Sequence, residues 1–519
     1  MTSTQMAREI VTQLVAAGVR DVVLAPGSRS APMAYAVADA EAAGWLRAHV
    51  RVDERTAGYF ALGLARAALH RGEPRAVALV TTSGTAVANL HPAVLEASHA
   101  GVPLLVVSTD RPHEWHRTGA NQTTIQTGIF ADAPRAVAEL PARANPAAVR
   151  GHVTRLIAAA LGTLTRDPGP AHLNVSFAEP LVPGSRWELG VPPEPVRVQP
   201  ALDPVATPLP AGRRTLAVAG DGAGPDAAAL AHAAGWPLLA EPSSGARSGD
   251  AIVHYLALIA AGLAAEVERV VVFGHPTLSR PISRLLSNRD AEVVVVSPTA
   301  RWTDVTGAAS AVVGAIEAPE PAASDLAWLR RWRDADAAVD KAATPIQRAA
   351  LALWATDTAL LLGSSNTIRA FDAVAPGAER AASVFANRGL AGIDGLISTA
   401  RGLAAGLGEP VRVVLGDLSF VHDLGGLAQG DLEAEQDLQV IVLDDHGGGI
   451  FATLEHAGAV DATFNRFFAT PQHVDAVAAA RALGVRAQEV AIDDLPQALA
   501  EPVRGASLIL VPLPPVGRG

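Results

Sequence analysis

Residues 441–451 read IVLDDHGGGIF. An unbroken apolar run stops at two aspartates and a histidine, and three glycines follow. Carboxylates at the end of a buried strand are costly unless a cation meets them. Backbone without side chains lets a bulky anionic group come close. The stretch therefore reads as a strand end that grips something charged, and its partners must lie elsewhere in the chain.

The same device stands upstream. In VVLGDLSFVHDLGGL (413–427), Gly416 and Asp417 close another apolar run. Taken alone, a Gly-Asp pair after a strand is ordinary turn chemistry. Asp445 follows 28 positions later, room for one helix and one strand, so both tips can lie side by side at one sheet edge. Asp417, Asp445, a carbonyl from the Gly447 region and phosphate oxygens would make the oxygen-rich octahedral shell that suits Mg²⁺.

Similar runs recur along the chain: DVVLAPG (21–27), AVALVTTSG (76–84), PLLVVSTD (103–110), RVVVFG (269–274), EVVVVSP (292–298), TALLLGSS (358–365) and ASLILVPL (506–513). Continuous apolar strands separated by alanine-rich helical stretches predict an α/β fold of doubly wound parallel sheets. Ligands bind such sheets beyond the carboxyl ends of the strands. Eight prolines within residues 183–210 mark a crossover between domains, and EAPEPAASD (317–325) opens a second break that leads into a charged helix. The expected units are 1–185, 186–340 and 341–519, and three such units in a row suggest a triplication.

Composition removes several function classes. The formal charge of −11 argues against a nucleic-acid binder. No apolar run is long enough for a membrane span. The opening MTSTQMAREIVTQLVAAGVRD (1–21) reads as a capped amphipathic helix and not as a signal peptide, so a cytoplasmic location is expected. The chain has no cysteine, which excludes disulfides, thiolate catalysis and cysteine-ligated metals. Lys341 is its single lysine, so neither a Schiff base nor a P-loop is supported. A G-x-S-x-G elbow is missing as well.

The G-D-x-S motif at 416–419, followed by the acidic pair and glycine-rich turn at 444–449, resembles the metal–diphosphate motif of thiamine-diphosphate enzymes. That resemblance implies three domains: pyrimidine-binding, central and diphosphate-binding. It also implies a glutamate in the first of them. RVDERTAGYFALGLARA (51–67) supplies Glu54 just ahead of a small-residue helix. By resemblance, Glu54 hydrogen-bonds the cofactor's pyrimidine ring, a task best done from an apolar pocket that raises its proton affinity. Read alone, Asp-Glu-Arg here is a solvated helix N-terminus.

Four further stretches, LAPGSRSAPM (24–33), STDRPHEWHRTGANQTTIQ (108–126), SSNTIRAFD (364–372) and ANRGLAGIDGLISTA (386–400), are similar to motifs of the 2-succinyl-5-enolpyruvyl-6-hydroxy-3-cyclohexene-1-carboxylate synthases of menaquinone biosynthesis. HPTLSRPISRLL (275–286) is the best match in the middle unit. The implied reaction decarboxylates 2-oxoglutarate and joins the remaining four-carbon unit to isochorismate. Both substrates carry several negative charges, which arginine meets with a bidentate fork.

The resemblance assigns Ser28, Arg29, Arg111, Asn121, Gln122, Arg280, Arg369 and Arg388 to the substrates, with Ile450 and Phe451 walling the pocket. Ser28, Arg29, Gln122, Arg369 and Arg388 join Glu54 as candidate catalytic residues. Ser365, Ile393, Gly416, Leu418, Ser419, Gly447, Gly448, Ile450 and Phe451 would contact the cofactor. Asp417, Asp445 and Gly447 would hold Mg²⁺ or Mn²⁺. Arg280 is the single expected contributor from the middle unit, and His446 is expected to face solvent or be structural.

This chain departs from the family at two places. It has Asp444-Asp445-His446 where asparagines are common, and Gly363-Ser364-Ser365-Asn366 where Gly-Asn-Ser is common. A homodimer or homotetramer is implied, with each site built from Glu54 of one subunit and Asp417 of another. Two other readings predict different behaviour. A decarboxylase or acetolactate-type carboligase for small 2-oxo acids would need few arginines, and a non-catalytic α/β binding protein would tolerate Glu54→Gln.

Overall fold

The computed structural model describes residues 1–340, 342–377 and 383–517; Lys341 lies outside them. The first helix, Ser3–Ala16, shows how local signals set an element. Thr2 caps it by accepting the Gln5 N–H, and the Gln5 side chain returns to the Thr2 N–H. Met6, Ile10, Val11 and Leu14 then form its buried face.

Every strand pairing within the three large sheets is parallel. The first sheet runs, edge to edge, through Arg47–Val50, Asp21–Leu24, Val77–Thr81, Leu104–Asp110, Pro170–Ser176 and Val137–Leu140. The third runs through Val384–Ala386, Ala359–Leu362, Val411–Gly416, Leu438–Asp444, Ala506–Pro512 and Arg486–Glu489. Numbered by chain order within each sheet, both follow 2-1-3-4-6-5. The middle sheet, from Leu238–Ala240 through Thr215–Ala219, Arg269–Phe273 and Glu292–Val296 to Ala311–Val313, follows 2-1-3-4-5. All three therefore reverse winding direction between their first and third strands, where a doubly wound sheet opens a crevice.

Inner strands such as Val77–Thr81 and Leu104–Asp110 are buried along their whole length, as sheets covered on both faces require. The proline-rich stretch is irregular except for Thr207–Pro208, which pairs with Ile316–Glu317. The charged helix after the second break spans Ala323–Ala337.

The first and third units of the chain are joined by a close helix crossing. Helix Glu54–His70 packs on helix Leu396–Leu407 through Gly63 and Gly402. A Cβ on Gly63 would lie 2.1 Å from the Thr399 carbonyl oxygen, and one on Gly402 would lie 2.1 Å from that of Phe60. Only glycine lets the two backbones approach this closely. The crossing fixes where Glu54, at the start of its helix, stands relative to the third sheet.

Candidate active site

Three neighbouring strand ends of the third sheet converge at its crevice. Strand Ala359–Leu362 runs into Gly363-Ser364-Ser365, Val411–Gly416 into Asp417, and Leu438–Asp444 into Asp445. The register pairs Gly416 with Leu443, which sets Asp417 opposite Asp444. Asp417 opens the short helix Asp417–His422, which also carries Leu418 and the buried Ser419.

The electrostatics match a cation site. Burial pushes the Asp417 carboxyl up to about 6 and Asp444 adds to the rise, while the N–H groups of Leu418 and Gly447 oppose it. Burial and the charges of Asp417 and Asp444 push the Asp445 carboxyl up to about 6 as well, opposed by a hydrogen bond from Asn366. Mutually repelling carboxylates at one sheet edge leave a demand for positive charge. No cluster of three ligating side chains is present among the described residues. A divalent ion here would rely on two carboxylates, backbone and the oxygens of a diphosphate.

Gly447 adopts φ of 129°, and a Cβ there would lie 2.3 Å from the Ala469 carbonyl oxygen. The glycine is thus required both by its conformation and by the segment packed over it. Its carbonyl accepts the Gly449 N–H at 2.9 Å and keeps a second lone pair. Gly448 donates to the Ala469 carbonyl at 2.7 Å. Ile450 and Phe451 follow, with the Phe451 ring 5.8 Å from Phe468. Ser365 has φ of 78°, and its carbonyl accepts Arg369 at 2.7 Å. The buried hydroxyl of Ser364 has no hydrogen-bond partner in the structure. An orphan hydroxyl, a side-chain-free loop and two crowded carboxylates fit a metal-bound diphosphate. His446 is exposed and meets Asp444, at 2.9 Å through its N–H and 3.2 Å through its ring.

A second cluster occupies the equivalent crevice of the first sheet. Ser28 is exposed beyond strand Asp21–Leu24, and Arg29 is buried, donating to the Phe177 carbonyl at 2.8 Å beneath the Trp115 ring. Arg111, at the end of Leu104–Asp110, donates to Ser83 and, at 2.7 Å, to the Gln122 carbonyl. Gln122 takes φ of 50°, and its side chain and that of Asn121 are exposed. Burial, then the charge of Arg111, lowers the proton affinity of Arg29, so two guanidiniums face one space. Sequence reasoning overlooked the buried Gln126, which accepts the Gly84 N–H at 2.9 Å and donates to Asn174 at 2.8 Å. It anchors the loop that carries Asn121 and Gln122.

Glu54 is half-buried and accepts the Asn89 side chain at 3.3 Å. It stands on the first turn of its helix and is partly accessible, beside the buried Thr56 and Ala57. Next to it, Arg55 donates to the His422 carbonyl at 3.0 Å, and so touches the helix that Asp417 begins.

Arg369 and Arg388 form a third group. Arg388 is buried and donates to Thr277 at 3.3 Å; Arg369 is exposed, with its proton affinity lowered by desolvation and then by Arg388. The loop bearing Arg388 is held by the first unit: Glu96 accepts the N–H groups of Gly389 and Leu390 at 2.8 and 2.7 Å, and Tyr59 donates to Asp394. Ile393, on the same loop, is 36% exposed. Arg280 stands apart in an exposed ion pair with Glu455 at 3.1 Å. Thr277 and the buried Glu241, not Arg280, bring the middle unit to Arg388; Thr277 lies within the 275–286 stretch but carries no expected role there, and Glu241 lies in none of the motifs.

Residues 4–129 match the family model described as thiamine pyrophosphate enzyme, N-terminal TPP binding domain. The chain is 49% identical to the 2-succinyl-5-enolpyruvyl-6-hydroxy-3-cyclohexene-1-carboxylate synthase of Kineococcus radiotolerans, covering 93% of this chain and 90% of that one. It is 46% identical to the synthase of the same name from a Nocardioides species, covering 98% and 94%.

The chain belongs to this synthase family.

It is a thiamine-diphosphate enzyme. The synthase of Mycobacterium marinum is 40% identical over 98% of this chain and 96% of its own. Benzoylformate decarboxylase from Polynucleobacter necessarius superposes with a TM-score of 0.69 over 99% of both chains at 18% identity, which shows a shared fold alone. In this synthase chain no helix among the described residues is long and apolar enough to cross a membrane.

Proposed function

We propose that the chain joins 2-oxoglutarate, with loss of CO₂, to isochorismate, giving 2-succinyl-5-enolpyruvyl-6-hydroxy-3-cyclohexene-1-carboxylate for menaquinone biosynthesis. The carrying observation is the set of crowded carboxylates at the third sheet's crevice, in a chain whose relatives bear that synthase name over nearly their whole length. Asp417, Asp445 and the Gly447 carbonyl would hold Mg²⁺ or Mn²⁺, and Ser365, Gly448, Leu418 and Ser419 would line the diphosphate. When bound, thiamine diphosphate supplies a carbon nucleophile that accepts the electrons released by decarboxylation of a 2-oxo acid.

The protein's own share is binding, orientation and proton placement. Glu54 would present its carboxyl group to the pyrimidine ring for proton exchange, and Asn89, which donates to it at 3.3 Å, orients that carboxyl group. Arg369 and Arg388 present forked donors to a substrate carboxylate, and Arg29 with Arg111 present a second positive face. Two separate pairs of guanidiniums suit two polyanionic substrates better than one small 2-oxo acid, which disfavours a simple decarboxylase. Ile393, Ile450 and Phe451 exclude water from the space between.

The deciding experiment mixes the purified protein with thiamine diphosphate, Mg²⁺, 2-oxoglutarate and isochorismate, and follows isochorismate loss and product mass. Loss that requires both the cofactor and 2-oxoglutarate is expected. Decarboxylation with isochorismate untouched would keep the cofactor assignment and overturn the acceptor.

A further inference from the structure

Glu241 follows strand Leu238–Ala240 of the middle sheet and is 2% exposed. One carboxyl oxygen accepts the Leu278 N–H at 2.9 Å, and the other has no hydrogen-bond partner in the structure. The next residue back, Thr277, accepts the Arg388 guanidinium at 3.3 Å through its hydroxyl, and Arg388 Nε is itself buried without a partner. Glu241 and Arg388 thus grip two consecutive residues of one turn, from opposite sides of a junction between the middle and third units.

We propose that Glu241 is a positioning residue: it fixes the Thr277–Leu278 turn against which Arg388 is set, and so places Arg388, beside Arg369, for a substrate carboxylate. This rests on the reading that those two arginines bind substrate. An ionised Glu241 would draw on the same positive charge that the substrate needs.

The surroundings hold Glu241 in its neutral form. Burial, then the charge of Asp372, pushes its carboxyl up to about 8; Asp221 adds to the rise, and the Leu278 N–H and Arg388 oppose it. Arg369 also faces it. Asp372 is already engaged by Arg247 at 3.2 Å and by the Tyr255 hydroxyl at 2.6 Å, so Arg247 is not available to Glu241 as a counter-ion. Glu241 therefore carries its proton at neutral pH and loses it as pH rises through about 8. Its new negative charge then opposes an incoming carboxylate.

The test measures KM and kcat of the holoenzyme for 2-oxoglutarate between neutral and alkaline pH in wild type, Glu241→Gln, Glu241→Ala and Arg388→Lys. Wild-type KM is expected to rise about fivefold once Glu241 ionises, the size of one added charge acting at moderate effective dielectric. Glu241→Gln, which mimics the neutral acid, should match wild type at neutral pH and lose that rise. Glu241→Ala should raise KM at every pH with kcat less affected. A wild-type rise that survives in Glu241→Gln overturns the proposal, as does a wild-type profile that is flat. If Glu241→Ala fails to fold, the Glu241→Gln profile decides alone. Arg388→Lys separates the two levels. A raised KM there beside an indifferent Glu241→Ala removes Glu241 and keeps the arginine reading, whereas an unchanged KM removes the arginine reading and this inference with it.

Discussion

Asp445 and Asp417 end adjacent strands, and burial together with the Asp417 charge pushes the Asp445 carboxyl up to about 6. A carboxyl whose proton affinity is raised by folding favours the folded state while it is protonated. Its penalty is absent below the unfolded value near 3.8 and complete above about 6. The cofactor-free protein is therefore expected to lose stability as pH rises across that window. Asp445→Asn should remove the loss and stabilise the cofactor-free protein by about 1 kcal/mol, a figure reduced for partial solvent access. It should also weaken the thermal stabilisation that Mg²⁺ and thiamine diphosphate confer. Melting curves with and without both ligands, at acidic and neutral pH, check both halves. A variant that is no more stable without ligand would show that the carboxylates are not under strain.

Glu54→Gln should fold normally and lose at least ~10²-fold in kcat, since an amide cannot exchange the proton that general acid–base catalysis needs. Circular dichroism and cofactor binding establish the fold, and isochorismate consumption gives the rate. Near-wild-type turnover by a folded variant would defeat the role given to Glu54 and favour a binding protein.

Gly402→Ala tests the helix crossing. A Cβ 2.1 Å from the Phe60 carbonyl oxygen cannot be relieved by a rotamer change, because the atom it meets is backbone. The helices must separate, at a cost of about 3 kcal/mol or more, in the range of severe overpacking. Chemical denaturation should show the loss. Activity should fall too, because Glu54 and Arg55 stand at the start of the displaced helix. Full stability in the variant would mean that the crossing is looser than the glycines imply.

The parallel fold was legible because its inner strands are apolar on both faces. The runs at 76–84, 103–110, 269–274 and 292–298 all contain strands of the sheets. Other strands gave weaker signals. Arg47–Val50 and Arg486–Glu489 are edge strands with exposed polar residues. Pro170–Ser176 is fully buried yet carries His172, Asn174 and Ser176, whose polarity masks it. His172 tolerates this because burial lowers its proton affinity to about 4, and it shares a hydrogen bond with Ser108 at 2.7 Å. The strand ends at Asp417 and Asp445 were legible because each is local, one strand end and one turn. Glu241 and Glu96 lie outside every motif stretch, and Thr277 and Gln126 lie inside two of them without an assigned role, because all four act through packing between distant segments. Arg280, which the resemblance assigned to a substrate, stands in an exposed ion pair with Glu455.

The proposed sharing of sites between subunits makes a prediction that separates it from a one-chain site. Within one chain, Arg55 touches the carbonyl of His422, at the far end of the short helix that Asp417 begins. Glu54 thus neighbours the end of that helix remote from Asp417, and part of its surface is left uncovered. If each site takes Glu54 from one subunit and Asp417 from its partner, Glu54→Gln and Asp417→Asn are each inactive alone. A mixed dimer of the two then carries one site with both defects and one site with neither. Equal amounts, dissociated and reassociated at random, should recover about a quarter of wild-type activity, since half the dimers are mixed and each has one intact site of two. Dilution below the dimer dissociation constant should abolish that activity. No recovery from a mixture shown by native mass spectrometry to contain mixed dimers would put Glu54 and Asp417 of one chain in the same site.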